Sequence, residues 1–406
     1  MKKIFQTIMS LCLLSGILAP TVPAHASTSE APKVKSQSAI LIDQKTGNVL
    51  YNKKDSKKMY PASITKIVTA ILAIESGKMD EMVTISKNAT LTDGTRVYLS
   101  EGEQLPLKKL VEGMIVNSGN DAAVAIAEYL AGDVPSFADK MNEFAKKAGA
   151  THTHFETPNG LFNPDHYTTA EDMAKITQVA MKNKEFQRIV SIKDLPWHVK
   201  GWNTTLVNHH RLLWDYPGTT GVKNGYVSQA KHTLVTSVSR NGMDFIAVVL
   251  KAPTAKASYR DTISLFEYGF NHFQRQKISK GTMIEDSAGK EHALKRDLEF
   301  TLPMGENYTK NVSSNGELTV QNSKGNELAA VQLFHPSPKK AASKVASSTV
   351  EKVKEITPLQ LTTRTAVFFY SLFLLLVSCM VIVRMKKKKR KEQRMKRLEK
   401  NYTFIK

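Results

Sequence analysis

The chain has 406 residues, 41% hydrophobic and 23% charged, a balance that excludes a disordered protein and leaves room for more than one domain. Its formal charge of +20 sits mostly at the ends: twelve Lys and Arg against two Glu in residues 384–406 supply +10, and Lys2 and Lys3 add two. The +8 left for residues 27–383 forms no clustered basic stripe, so no nucleic-acid partner is expected. In chain order, Lys2-Lys3, an uncharged and mostly apolar run over 4–18, and Ala24-His25-Ala26 predict a removable export signal spanning 1–26. Residues 39–42 and 49–51 flank Lys45-Thr46-Gly47-Asn48 and predict a hairpin. Residues 64–75, closed by Ser76-Gly77, have helical periodicity. Helices are also predicted from Pro106 to 116 and from 121 to 130. Residues 233–238 and 244–250 predict adjacent strands joined at Asn241-Gly242. The pattern then changes to short alternating runs separated by Gly, Asn and Ser, which predicts a small all-β domain over 276–334 after a larger domain over 27–275.

The rest of the chain is a linker (335–364, rich in Pro, Ser, Ala and Lys), an uncharged stretch (365–383) and the basic tail (384–406). Nineteen residues at about 1.5 Å each span close to the ~30 Å hydrocarbon core of a bilayer, so 365–383 predicts a transmembrane helix. The cations that follow it predict a cytoplasmic tail and an extracellular body. The only cysteines are Cys12 and Cys379, so the body between the two hydrophobic ends has neither a disulfide nor a thiol for chemistry.

Three short motifs carry chemistry. In Pro61-Ala62-Ser63-Ile64-Thr65-Lys66, the spacing of three puts the Lys66 amine on the same helical face as the Ser63 hydroxyl. A serine hydroxyl is a weak nucleophile until a base takes its proton, and Lys66 can be that base only if burial or a second cation disfavours its ammonium form. Alone the motif is weak: Ser228–Lys231, Ser287–Lys290 and Ser337–Lys340 repeat it, and a capping serine with a solvated lysine fits it too. Asn117-Ser118-Gly119-Asn120 falls between two predicted helices and fits plain turn chemistry equally well. Gly221-Val222-Lys223-Asn224-Gly225-Tyr226 leads into a strand pattern and also fits a lysine-blunted edge strand.

The order and spacing of the three are specific. Ser-x-x-Lys, then Ser-x-Asn, then Lys-x-Gly is the signature set of penicillin-recognising serine enzymes. Together with Pro158-Asn159-Gly160-Leu161, His166-Tyr167-Thr168-Thr169-Ala170, Asp172-Met173-Ala174 and Arg211-Leu212-Leu213, it resembles the D-alanyl-D-alanine carboxypeptidases over about residues 35–335. The resemblance implies an α+β fold: a β-lactamase/transpeptidase-like catalytic domain with an antiparallel sheet flanked by helices, then the small β domain and the membrane helix. It implies Ser63 as nucleophile, Lys66 as its base, and the Ser63 and Tyr226 N–H groups as the oxyanion hole. Ser118 would relay a proton to the leaving group, and Asn120 would bind the substrate amide. Lys223 would depress the pKa of Lys66 and attract the terminal carboxylate, and Gly225 would let the substrate lie against the strand. Arg260 is a candidate second carboxylate contact. The implied partners are a peptidoglycan stem peptide ending in D-Ala-D-Ala, β-lactam antibiotics and the membrane, with no cofactor and no metal.

One position departs from the family pattern: the third motif usually reads Lys-Thr-Gly, and here Asn224 replaces the threonine. That substitution keeps open a wall-binding or penicillin-sensing protein without turnover, as well as endopeptidase or transpeptidase action. A class A β-lactamase would need Glu-x-x-Leu-Asn, which none of Glu128, Glu143, Glu156, Glu171 and Glu185 begins. A zinc peptidase would need His-Glu-x-x-His, which His152/His154 and His209/His210 do not supply. Gly218–Asn224 lacks the spacing of a phosphate loop.

Overall fold

The computed structural model describes residues 31–333 apart from 287, 288, 290 and 314. The export signal over 1–26, the linker, the apolar stretch 365–383 and the basic tail lie outside the described residues. Among the described residues no helix is long and apolar enough to cross a membrane.

A five-stranded antiparallel sheet is built from β1 (Ser38–Asp43), β2 (Val49–Lys53), β3 (Thr219–Val227), β4 (Lys231–Arg240) and β5 (Met243–Ala252) in the order β2-β1-β5-β4-β3. The predicted 39–51 hairpin is β1–β2, and the Asn241-Gly242 turn joins β4 to β5. Side chains alternate faces along a strand, so a strand apolar at every position must be covered on both sides. The central stretches of β1 (39–42) and β5 (245–250) are apolar at every position. Ile40 and Ile42 of β1 join Ile246, Val248 and Leu250 of β5 in the core beneath helices α1 (Lys66–Glu75), α2 (Leu107–Val116), α3 (Asn120–Ala131) and α4 (Ala170–Ala180). Ala39, Leu41, Phe245, Ala247 and Val249 face the other way, against Leu265 and Phe266 of α5 (Ala255–His272). A fully buried Leu, Ile or Phe stabilises by about 1.5–3 kcal/mol, so these two apolar layers hold the sheet between its helices. The edge strands are β2 and β3, and β3 carries Lys223, Asn224 and Gly225.

Pro106 caps α2, and α3 starts at Asn120, close to the predicted bounds. The predicted 64–75 helix divides in two: a 3-10 turn over Ala62–Thr65 precedes α1, so Ser63 stands on the turn and Lys66 opens the helix.

Beyond α5 the chain is all β. β6 (Phe273–Ile278) pairs with β7 (Leu298–Pro303), and β8 (Tyr308–Val312), β9 (Glu317–Asn322) and β10 (Glu327–Gln332) form a three-stranded sheet. Phe300, Leu302, Leu318 and Val320 are its core. This region docks on the β1–β2 turn. Asp43, fully buried, accepts from Arg275 Nη2 at 3.0 Å and from Thr301 Oγ1 at 2.8 Å. Asn48 accepts from the Thr301 N–H at 2.8 Å and donates to the Leu328 carbonyl at 2.6 Å.

Candidate active site

The turn that carries Ser63, the expected nucleophile, is held from both sides. Thr233 Oγ1 of β4 donates to the Pro61 carbonyl at 2.8 Å, tying the turn to the sheet. On the far side the 157–160 loop abuts it so closely that a Cβ on Gly160 would fall 2.0 Å from the Ala62 carbonyl oxygen. Gly160 also has φ +82°, so both sterics and backbone demand glycine there. Ala62 itself sits at φ 53°, a left-handed conformation that non-glycine residues adopt where surrounding structure enforces it.

Lys66 is completely buried. Its Nζ lies 2.8 Å from Ser63 Oγ, 2.7 Å from Asn120 Oδ1 and 2.8 Å from the Asn159 carbonyl oxygen. A protonated lysine would donate to all three. A neutral lysine has two N–H donors and one lone pair. The Asn120 and Asn159 oxygens can only accept, so they take the two donors, and the lone pair is left for the Ser63 O–H. Burial pushes the Lys66 pKa well below the usual lysine range, the Lys223 cation pushes the same way, and Asp121 opposes them. Lys223 is buried on β3 and burial lowers its pKa to about 7.

The second motif turns between α2 and α3. Ser118 is buried at φ 61°, a second left-handed non-glycine residue beside the cluster. Asn120 donates from its backbone to the Thr95 carbonyl at 2.7 Å and from Nδ2 to the Asp93 carbonyl at 2.6 Å, which aims Oδ1 at Lys66. Asp121 sits in the first turn of α3 and accepts backbone N–H groups of Val97 at 3.0 Å and Leu99 at 3.2 Å. Burial raises its pKa, and those N–H groups hold it back. Together Asn120 and Asp121 pin the 93–99 segment to the start of α3.

On the third side, Gly225 lets β3 touch the nucleophile turn: a Cβ there would stand 2.7 Å from Ser63 N. Lys223 Nζ donates to the Asn224 carbonyl at 3.0 Å. Among the described residues, no group of three or more His, Cys, Asp or Glu is placed to hold a metal ion.

Ser-Lys, Ser-x-Asn and Lys-x-Gly thus meet around one buried amine. Residues 25–254 match the family described as peptidase S11, D-alanyl-D-alanine carboxypeptidase. The chain belongs to that family.

Its likeness to individual members is consistent. The D-alanyl-D-alanine carboxypeptidase DacF of Bacillus subtilis is 34% identical over 292 residues, covering 69% of this chain and 74% of that protein. DacC of Escherichia coli is 34% identical over 271 residues, covering 64% and 67%. The crystal structure of penicillin-binding protein 5 from Haemophilus influenzae superposes with a TM-score of 0.66 at 29% identity, over 75% of this chain and 98% of that one. The α+β fold of the carboxypeptidase family is therefore that of this chain.

Arg260 is the candidate second carboxylate contact. It is exposed on α5, whose packing puts that helix on the sheet face opposite α1. Among the described residues it makes no hydrogen bond or ion pair with the Lys66 cluster. The strand ends at Ala252 and the chain turns at once into α5, a change of face that spacing alone does not reveal. The Asn120 side chain, expected to bind the substrate amide, is engaged with Lys66 and the Asp93 carbonyl.

Two further contributors lie outside the three motifs. The Asn159 carbonyl that holds Lys66 is a backbone group, visible only through the Pro-Asn-Gly-Leu landmark. His166 is buried at a pKa of about 3 because burial disfavours its cation. Its Nδ1 accepts from the Glu156 and Thr157 N–H groups, so Nε2 carries the proton and donates to Thr65 Oγ1 at 2.9 Å. It thereby ties the 157–160 loop to the nucleophile turn.

Proposed function

We propose that this chain is a serine D-Ala-D-Ala carboxypeptidase that removes the terminal D-alanine from peptidoglycan stem pentapeptides. The observation that carries this is the 2.8 Å approach of a buried, pKa-depressed Lys66 to Ser63 Oγ, with its two other directions already occupied. Neutral Lys66 takes the Ser63 proton as Oγ attacks the carbonyl of the penultimate D-alanine. The oxyanion is met by the N–H groups of Ser63 and Tyr226, a stabilisation commonly worth about 10²–10³ in rate per donor. Ser118 passes the proton to the departing D-alanine nitrogen, and the C–N bond breaks to leave an ester on Ser63. Water then attacks the ester, Lys66 receives its proton, and Ser63 is restored. A β-lactam follows the first half of this path, but its cleaved nitrogen stays tethered in the acyl group. Charged Lys223 and the Asn224 amide receive the terminal carboxylate.

Release of D-alanine from a pentapeptide ending in D-Ala-D-Ala tests the reading with the full-length protein. Wild type releases it, and Ser63→Ala does not. Asn224→Thr restores the family's hydroxyl donor, and a charge-assisted hydrogen bond is worth about 1.5–3 kcal/mol, so release is expected to rise about tenfold to a hundredfold. No release from folded wild type would transfer the assignment to a cross-link-specific enzyme or a penicillin sensor.

We also propose that residues 365–383 hold the protein in the cytoplasmic membrane as a single span, with the catalytic body outside. Support comes from nineteen uncharged residues ended by a run of cations. After an alkaline wash the full chain is expected in the membrane pellet, and a chain ended at residue 360 in the supernatant. Full chain in the supernatant would refute the span.

A further inference from the structure

A pocket of about 300 Å³ opens beside the nucleophile turn, lined by Tyr60, Tyr167 and Gln229 and by three lysines, Lys57, Lys58 and Lys251. No acidic side chain lines it, and among the described residues none of the three lysines is paired with a carboxylate. Lys58 Nζ is held 4.0 Å above the Tyr167 ring centroid, and the Tyr60 ring packs edge-on against Phe162 at 5.0 Å. The pocket is a concave site with one sign of charge, which focuses potential and favours an anion.

Its position relative to the reaction follows from strand geometry. A substrate added to the β3 edge runs antiparallel, with the residue bearing the scissile carbonyl opposite Tyr226. The leaving D-alanine then falls toward Gly225, Asn224 and Lys223. Upstream residues run the other way, past Val227 and Ser228. Gln229, on the pocket wall, lies in the turn between β3 and β4, two residues beyond the end of β3 at Val227. Tyr60, also lining the pocket, is three residues before Ser63.

We infer that this pocket is a subsite for a carboxylate carried by the stem peptide on its second or third residue, upstream of the penultimate D-alanine. The inference rests on the carboxypeptidase reading for the peptide's direction. It predicts that the enzyme distinguishes wall peptides by whether that carboxylate is free or amidated.

Two pairs of pentapeptides ending in D-Ala-D-Ala, each pair differing only by carboxylate against carboxamide at the second or the third residue, provide the test. At low ionic strength the free acid of at least one pair is expected to show about fivefold higher kcat/KM with wild type, as partly exposed charge pairs contribute modestly and are screened by salt. In the Lys57→Gln/Lys58→Gln/Lys251→Gln variant the preference is lost while the amide's kcat/KM is unchanged. Binding of the same peptides to Ser63→Ala is a readout that needs no turnover, with the same preference expected in Kd. Equal binding of acid and amide in both pairs, or a preference that survives the triple substitution, overturns the subsite. A binding preference without D-alanine release keeps the subsite and overturns the carboxypeptidase reading instead.

Discussion

Lys66→Arg is expected to slow acylation of Ser63 by penicillin by about 10²–10⁴, the range a positioned general base contributes. The choice of arginine separates two roles. Arginine keeps a cation near Ser63 but, with a pKa above about 12, cannot become a neutral base. If Lys66 served only as a positive charge, arginine would retain much of the activity; as a base it is as inactive as alanine. Stopped-flow acylation with a fluorescent penicillin measures the difference, and arginine retaining more than about a tenth of the rate would refute the base role. The pH profile follows from the two lysines. Lys66 must be neutral, and burial and Lys223 hold its pKa down, so activity appears as pH rises through that lowered value. Lys223 must be charged to attract a carboxylate, and its pKa of about 7 predicts that peptide kcat/KM falls above that pH. Lys223→Gln removes the repulsion on Lys66, so the acid limb moves to higher pH. An acid limb that does not move would mean the two amines are not electrostatically coupled.

Much of this site is legible in the sequence because its chemistry is carried by side chains at fixed spacing. Ser63 and Lys66 share a face through a three-residue step, and Lys223 and Gly225 are two residues apart on one strand. The hairpin of β1 and β2 and the start of α2 at Pro106 are equally local, each set by its turn or cap. Contributions made by backbone or by distant packing are not legible in this way. The Asn159 carbonyl reaches Lys66 across 93 residues, and no residue type advertises a carbonyl. The left-handed backbones of Ala62 and Ser118 are imposed by their surroundings against local preference. Arg260 follows a strand of the sheet and is placed on α5. The face that α5 covers is decided by Phe245 and Leu41 packing on Leu265 and Phe266, which distance along the chain does not encode.

Gly225→Ala is expected to lower acylation by about 10²-fold or more although it adds only a single methyl group. The added Cβ would lie 2.7 Å from Ser63 N, 2.7 Å from Thr233 Oγ1 and 3.1 Å from the Ala62 Cβ. The first of these is backbone and cannot rotate away. The second is the hydroxyl that bonds Pro61, so rotating it releases the clamp on the nucleophile turn. The strain is relieved only if β3 and the turn move apart, and Tyr226 N and Ser63 N, one on each, then no longer converge on the same oxygen. Overpacking of this kind costs about 1–3 kcal/mol of stability, so the variant is expected to fold with a lowered Tm. Its defect should therefore lie in the acylation rate constant of folded protein, while reversible docking of the peptide carboxylate near Lys223 weakens less. A Gly225→Ala protein that acylates within about threefold of wild type would show that the turn and the strand tolerate separation, and that the oxyanion is stabilised from elsewhere. Thr233→Val sharpens the distinction, since it removes the clamp without forcing the two backbones apart. It is expected to cost about tenfold or less, because the close approach that Gly225 permits, more than the hydroxyl tether, is what brings the two N–H donors together.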